Sequence, residues 1–215
     1  MRNRRFLVFI VPIILLSSCI KTKTEYWPDG GKKSEIRVKG EKYEGEANYW
    51  YENGNLQLSC TYKNNVIEGV VRNYNASGRL QTEQHFINGI LHGRIKTWDD
   101  HGKLASEGHY KNGVLHGRYA EYYPNNTLKL EGNYIEGDHD GVWLYYDPSG
   151  LVVGEGNFKR GTGIQKAFYD NGATKQVTHY INNKKDGEEV FYNPDGSQDV
   201  INVFVQGKLT DKIIK

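Results

Sequence analysis

Residues 88–98 read NGILHGRIKTW, and residues 112–122 read NGVLHGRYAEY. One explanation of the shared Leu-His-Gly-Arg is a pair of catalytic or metal-binding histidines. The other is an architecture in which every 24th residue occupies the same physical position. The second explanation predicts further repeats along the chain, so it is tested first.

Three sequence positions recur along the chain at steps of 24 residues, with one step of 22 in each series. The glycine column contains Gly45, Gly69, Gly93, Gly117, Gly141, Gly163 and Gly187. The aromatic column contains Tyr62, Phe86, Tyr110, Tyr134, Phe158, Tyr180 and Phe204. The turn column contains Gly30, Gly54, Gly78, Gly102, Asn126, Gly150, Gly172 and Gly196. These series predict about seven tandem units of about 24 residues, one of them shortened by a local deletion.

Each unit reads as two short strands and two turns. Asn112-Gly113 and Asn88-Gly89 are strong hairpin signals, because both residues tolerate the positive φ of a type I′ turn. The runs between turns lack helical periodicity, so we expect about fourteen antiparallel strands. The sequence therefore predicts an all-β fold, an elongated antiparallel meander of tandem β-hairpins.

The hairpin loop at Asn112-Gly113 also predicts which residues face each other. Alternation along the strands gives an aromatic, glycine-rich face and a charged, solvated face. Counting outward from this loop and from the preceding one pairs Tyr110 with Leu115, Gly108 with Gly117, Ser106 with Tyr119, Glu107 with Arg118, Phe86 with Leu91, and Glu83 with Arg94. The charged pairs are interpreted as surface ion pairs rather than as acid and base groups.

Units such as DHGKLASEGHYKNGVLHGRYAEYY at 100–123 and YDNGATKQVTHYINNKKDGEEVFY at 169–192 resemble the MORN-repeat family. The likeness is to its bacterial variant repeats, some of which are labelled YwqK-type antitoxins, and it covers roughly residues 26–207. The resemblance implies consecutive hairpins in a twisted meander. It implies little about function, because a shared fold hosts many functions.

The first residues predict export. Arg2, Arg4 and Arg5 precede an apolar stretch at 6–16, a pattern typical of a secretory signal and too short to span a membrane. Leu-Ser-Ser-Cys, ending at Cys19, resembles the bacterial lipobox, which implies a lipidated Cys19. We therefore predict a signal peptide at 1–18, a lipid-anchored linker at 19–25 and a repeat domain at 26–215.

Composition and charge limit the possible partners. Without residues 1–18 the chain loses three arginines and no acidic residue, so its net charge falls from +2 to −1. That leaves no overall basic field for nucleic acid. If Cys19 carries a lipid, Cys60 has no cysteine left with which to form an intramolecular disulfide.

The histidines give two candidate metal pairs, His85 with His92 and His109 with His116. Each cross-strand pair supplies two ligands, which is too few for a structural zinc site. The alternative is that His92 and His116 occupy the polar position beside the glycine column. That position reads Glu44, Glu68, His92, His116, Asp140, Thr162 and Asp186 along the repeats. We expect no metal and no other cofactor.

The aromatic face offers the one candidate binding surface in the sequence. Its members are Tyr110, Tyr119, Tyr134, Trp143 and Tyr145. They form either a stacking platform for a glycan or peptide, or the packing layer of the sheet. Because the aromatic column recurs in every unit, the sequence favours packing.

No catalytic motif is present: the sequence lacks a G-x-S-x-G elbow, a P-loop and an H-E-x-x-H helix. We therefore expect a non-catalytic scaffold that binds another protein and is anchored to the bacterial cell envelope. The residues after Cys19 favour the outer membrane, because no aspartate follows the cysteine. Alternatives are an antitoxin or immunity-type protein and a glycan or cell-wall binder. The sequence predicts no oligomeric state.

Overall fold

The computed structural model describes residues 19–215, so the predicted signal peptide at 1–18 lies outside the described residues. All of its regular secondary structure is β-strand, as predicted. The strands are β1 (Ile20–Tyr26), β2 (Lys32–Lys39), β3 (Lys42–Trp50), β4 (Leu56–Lys63), β5 (Val66–Ile67), β6 (Gly69–Tyr74), β7 (Leu80–Ile87), β8 (Ile90–Trp98), β9 (Leu104–Lys111), β10 (Val114–Leu115), β11 (Gly117–Tyr122), β12 (Leu128–Ile135), β13 (Asp138–Tyr146), β14 (Val152–Lys159), β15 (Thr162–Phe168), β16 (Thr174–Ile181), β17 (Lys184–Tyr192), β18 (Gln198–Val205) and β19 (Lys208–Ile214).

The strands form a single sheet in which each pairs antiparallel with the next along the chain. Two of these strands are interrupted at one residue: β5 and β6 form one strand broken at Glu68, and β10 and β11 form one strand broken at His116. Counted in this way, the described sheet has seventeen strands rather than the fourteen that we expected. One extra strand is β1, which pairs with β2 where we expected a linker at 19–25. Alternating lysine and threonine in β1 suit a solvated edge strand.

The two-residue loops adopt the predicted type I′ geometry. Asn112 and Gly113 have φ of 52° and 83°, and Asn88 and Gly89 have 50° and 75°. Neighbouring loops are also joined by hydrogen bonds, since the backbone N–H of Gly113 donates to the carbonyl of Leu91 at 2.9 Å. Each hairpin tip is therefore fixed to the previous one.

The longer turns close in the same way in every unit, including the unit without a turn glycine. Gly54 N–H donates to Tyr51 O at 3.0 Å, with φ of 82° at the glycine. Asn126 takes the same conformation, with φ of 66°, and its N–H donates to Tyr123 O at 2.8 Å. Asparagine tolerates the left-handed region, so this replacement leaves the register intact.

The hairpins contain a register shift that the sequence did not predict. Tyr110 faces Leu115 as expected, but Glu107 faces Ala120 instead of Arg118. Two extra residues lie between these pairs on the second strand, and Gly117 among them has φ of 103°. Because the shift is two residues, the aromatic and charged faces stay as predicted.

The preceding hairpin has the same shift, so the predicted pairing of Glu83 with Arg94 is wrong: Glu83 faces Lys96. Gly93 has φ of 103° at the equivalent bulge. A residue with a Cβ atom rarely adopts this backbone conformation, and this explains why the glycine column recurs.

The shortened unit is the hairpin that lacks the bulge. Between β14 and β15 the register is constant, from Lys159 opposite Thr162 through Phe158 opposite Gly163 to Gly154 opposite Ala167. The 22-residue step therefore removes the two bulged residues. Gly163 still faces Tyr180 on the next strand, as the other members of the glycine column face their aromatic residues.

Candidate functional site

The polar face is the side of the sheet that carries Glu107, Arg118 and Glu131. The Arg118 guanidinium lies 3.2 Å from the Glu107 carboxylate and 3.1 Å from that of Glu131. The predicted Glu107–Arg118 ion pair thus forms, although the two residues are not directly opposite. Glu83 pairs instead with Arg72 at 2.8 Å. Such exposed pairs contribute roughly 0–1 kcal/mol each.

The character of the polar face changes in the fifth and sixth repeats. The position that follows the glycine column is charged in four repeats and aliphatic in three, namely Val70, which is half-buried, Val142 in the fifth repeat and Ile164 in the sixth. The seven residues are Glu46, Val70, Arg94, Arg118, Val142, Ile164 and Glu188. Val142 is 61% exposed and Ile164 is 41% exposed. These aliphatic side chains therefore replace ions on a solvated surface.

Sheet pairing places these two residues in one row. Val142 faces Asn157, and Asn157 faces Ile164. Ile181 lies one strand further, near its hairpin tip, and is also exposed. We call Val142, Leu144, Ile164 and Ile181 the aliphatic track.

Three shallow grooves run beside the aliphatic track, with volumes of about 280, 300 and 480 Å³. Val142 lines the first two and Ile164 the last two, so each side chain is a wall between neighbouring grooves. The largest groove lies at the hairpin without a bulge and is lined by Gly163. This surface was not predicted from the sequence, although the sequence shows the charged-to-aliphatic change at the position after the glycine column.

The predicted aromatic surface does assemble, but mainly as packing. Ring centroids of Tyr119 and Tyr134 are 5.6 Å apart, and Tyr134 and Trp143 are 5.0 Å apart, both edge to face. Trp143 is 2% exposed, and its indole N–H donates to Asn133 O at 3.2 Å. Its ring is therefore not available for a ligand to stack on.

Glycines on the aromatic face make room for these rings. A Cβ atom at Gly132 would lie 2.1 Å from Cδ2 of Trp143, and one at Gly108 would lie 2.9 Å from Cδ2 of Tyr119. Each glycine is directly opposite or next to the ring that covers it. This close approach requires glycine for space rather than for a turn.

The remaining predicted residues of this face, Tyr110, Tyr119, Tyr134 and Tyr145, are half-buried. Burial raises the pKa of Tyr145 to about 12. Burial, with the Glu121 carboxylate beside the hydroxyl, raises the pKa of Tyr119 to about 12. The phenols of Tyr119 and Tyr145 therefore stay protonated well above neutral pH. They behave as members of a packed layer.

Toward the C-terminus the aromatic face contains a buried glutamate. Glu189 is 4% exposed and accepts hydrogen bonds from Gln176 at 2.7 Å, from Asn202 at 3.0 Å, and from Lys185. Burial alone would raise the pKa of Glu189, but the hydrogen bonds from Lys185 and Asn202 bring it below its usual value. The carboxylate is thus charged and internally satisfied.

The polar position beside the glycine column has a structural role. The Glu68 carboxylate accepts a hydrogen bond from the backbone N–H of Asn88, the first residue of the next loop, at 2.7 Å. Asp186 does the same for Gln206 at 3.0 Å. The carboxylates thus cap the following hairpin.

The histidines of the two Leu-His-Gly-Arg motifs stand at this capping position, within the bulges. His85 packs against Gly93, where an added Cβ atom would lie 3.3 Å from the Cβ atom of His85. His109 packs in the same way against Gly117, where the corresponding distance is 3.6 Å. Both predicted pairs lie at the bulges, off the regular register, although the backbone N–H of His116 donates to the carbonyl of His109 at 2.9 Å. Over residues 19–215 no three His, Cys, Asp or Glu side chains converge as a metal site would require.

The two cysteines occupy different environments. Cys19 is exposed directly before β1, whereas Cys60 is buried between Ala47 and Val71, and both are free thiols. In the part of the chain that the structure describes, no helix has the length and apolar character needed to cross a membrane.

Comparisons with known proteins give a family and distant structural likenesses. No curated protein matches the chain. Among solved structures, the GtfA/B complex bound to UDP and GlcNAc matches 51% of this chain and 22% of its own, at 11% identity and a TM-score of 0.24. TarM matches 55% of this chain and 19% of its own, at 14% identity and a TM-score of 0.26. The TcdB2-TccC3-Cdc42 complex matches 86% of this chain and 12% of its own, at 11% identity and a TM-score of 0.24.

The chain thus spans about a fifth of the length of the first two structures, and these TM-scores are too low to show a shared overall fold. The family match is stronger, because it recurs in phase with the hairpins. The MORN repeat variant model matches six consecutive segments, 43–64, 67–88, 91–112, 115–136, 140–160 and 162–182. These segments cover more than half of the chain, which therefore belongs to the MORN repeat variant family.

Proposed function

We propose that this chain is a non-catalytic scaffold that binds another protein through the aliphatic track of its polar face. The observation that carries the proposal is the exposure of Val142 and Ile164, at 61% and 41%, where four other repeats have charged residues. Clustered exposed apolar side chains beside charged ones are typical of protein-binding surfaces. Membership of a repeat family that points to protein or membrane interaction supports the same role.

The test is affinity capture of the full chain after cross-linking in cells, followed by mass spectrometry. We expect one dominant protein at near-equal amount with the wild type, and at least a tenfold lower yield with Val142→Asp/Ile164→Asp, since a buried unpaired charge opposes binding. Val114→Asp is the matched control, because Val114 is an equally exposed β-branched residue on the polar face, at 45%. Its yield should stay unchanged.

The identity of the captured protein also separates scaffold from antitoxin, because a toxin as partner would support the second role. Capture that is insensitive to the aspartate variants would contradict binding through the aliphatic track. Recovery of the chain alone would favour the glycan alternative. The burial of Trp143 argues against that alternative.

We further propose that Cys19 carries the lipid anchor that holds the scaffold at the cell envelope, in the outer membrane. Its thiol is exposed and immediately precedes β1, so the sheet would begin close to the membrane surface. A Cys19→Ala chain is expected to move from the membrane pellet to the soluble fraction, because the acyl chains that anchor it are lost. Cys60→Ala is the control and should stay in the pellet. Unchanged pelleting of Cys19→Ala would contradict lipid anchoring.

A further inference from the structure

The three grooves beside the aliphatic track repeat with the sheet. They are centred on β12, β14 and β16, with Val142 and Ile164 as the walls between them. Strands lie about 4.7–4.9 Å apart, so neighbouring grooves are about 9.4–9.8 Å apart. A chain lying across the strands would therefore meet one groove every 9.4–9.8 Å.

This spacing fits one backbone conformation better than the others. A polyproline II helix returns to the same side after three residues, over about 9.3 Å. A β-strand presents same-side residues at about 6.6–6.8 Å, and a helix at about 5.4 Å per turn, with a diameter of about 10–12 Å. Only the polyproline II segment places one side chain in each successive groove with little mismatch.

Each groove is also lined by a polar side chain from its central strand. Asn133, Asn157 and His179 line the three grooves in order. The backbone of a polyproline II segment makes no internal hydrogen bonds, so its carbonyl oxygens are free to accept. His179 Nδ1 already donates to the carbonyl of Glu188 at 2.8 Å, so the amides of Asn133 and Asn157 are the donors that two of the three grooves offer to these carbonyls.

The charged residues beside the grooves predict how a bound partner segment would be oriented along the aliphatic track. Arg118 is paired with Glu131 at 3.1 Å, and Lys166 lies 3.8 Å from Glu155, so each of these cations already has a carboxylate neighbour. Glu188, exposed at the β17 end, forms no ion pair with a lysine or arginine within residues 19–215. A basic residue of the partner would complement this carboxylate.

Building on the proposed function, we propose that the aliphatic track binds a partner segment in the polyproline II conformation. Its apolar side chains recur at every third residue and enter the three grooves, and a basic residue at one end contacts Glu188. The walls select this periodicity, because a segment with adjacent apolar residues cannot fill more than one groove without bending.

The probe is a fluorescein-labelled peptide, Pro-Leu-Pro-Pro-Leu-Pro-Pro-Leu-Pro-Arg, titrated with the purified full chain and followed by fluorescence anisotropy. The control peptide has the same composition with its three leucines adjacent. We expect the spaced peptide to bind about tenfold more tightly than the control. Ile164→Asp should weaken its binding by about tenfold or more, and Val114→Asp should leave it unchanged.

Equal affinity for the two peptides, no binding of the spaced peptide, or indifference to Ile164→Asp would each overturn the polyproline II inference. The capture experiment separates this failure from that of the scaffold. A captured protein that requires Val142 and Ile164, together with failure of the spaced peptide, leaves the scaffold standing and rejects only the conformation of its ligand. If capture does not depend on Val142 and Ile164 and the spaced peptide also fails to bind, both the scaffold proposal and the polyproline II inference are rejected.

Discussion

Trp143→Ala is expected to lower the free energy of unfolding by about 3–5 kcal/mol, the usual cost of removing a large buried aromatic ring. The ring is 2% exposed and lies against Tyr134 and His139, with centroids 5.0 and 4.5 Å away. Its alanine replacement would leave a cavity above Gly132 that the sheet backbone cannot fill. Urea denaturation followed by circular dichroism measures the change.

The adjacent residue provides the control, because it points to the other face of the same strand. Val142→Ala removes methyl groups that are 61% exposed, so we expect a change within about 0.5 kcal/mol. A Trp143→Ala loss below about 1 kcal/mol would show that the ring does not pack as described. Because stability in repeat arrays is nearly additive between neighbours, the loss should be largest for the repeats around β13.

The features that the sequence predicted correctly are local ones. Asn112-Gly113 determines a type I′ turn through its own backbone preferences, and Tyr110 opposite Leu115 follows from that turn by counting. The 24-residue period reports a repeated hairpin for the same reason. Neither inference requires knowledge of distant contacts.

The register beyond the first pairs could not be predicted by counting. Counting assumes a continuous ladder, whereas the two residues around Gly117 form a bulge that moves Glu107 from Arg118 to Ala120. Nothing in one hairpin distinguishes a bulge glycine from a glycine that makes room for a ring, as Gly132 does. The 22-residue spacing in the sequence was the one sign of the bulge, because the shortened unit lacks the two residues that form it.

The candidate site shows a second limit. The charged face was inferred from the units that contain Glu83 and Glu107 and then extended to all repeats. The repeats with Val142 and Ile164 differ at a position that faces solvent, where the fold sets few requirements. Surface differences between repeats such as these are hidden when the pattern of two repeats is extended to all of them.

Gly163→Ala is expected to destabilise the chain by about 3 kcal/mol, at the upper end of the cost of overpacking. A Cβ atom at Gly163 would lie 2.0 Å from the backbone oxygen of Asn157 and 2.9 Å from Cα of Phe158. Because these are backbone atoms, relief requires separating β14 from β15 rather than rotating a side chain. The urea midpoint of the variant measures this cost.

Gly141→Ala is the matched control at the same column position in a hairpin that keeps its bulge. No atom lies within 4 Å of its Cβ position, so alanine there meets only the strain of φ at +71°, about 1–2 kcal/mol. We therefore expect Gly163→Ala to be the more destabilising of the two. Equal losses would contradict the tight pairing of β14 with β15, because left-handed backbone strain affects only Gly141. A larger loss at Gly163 would instead show that deleting the bulge brought the two strands close enough to require glycine for space, beside the largest groove of the aliphatic track.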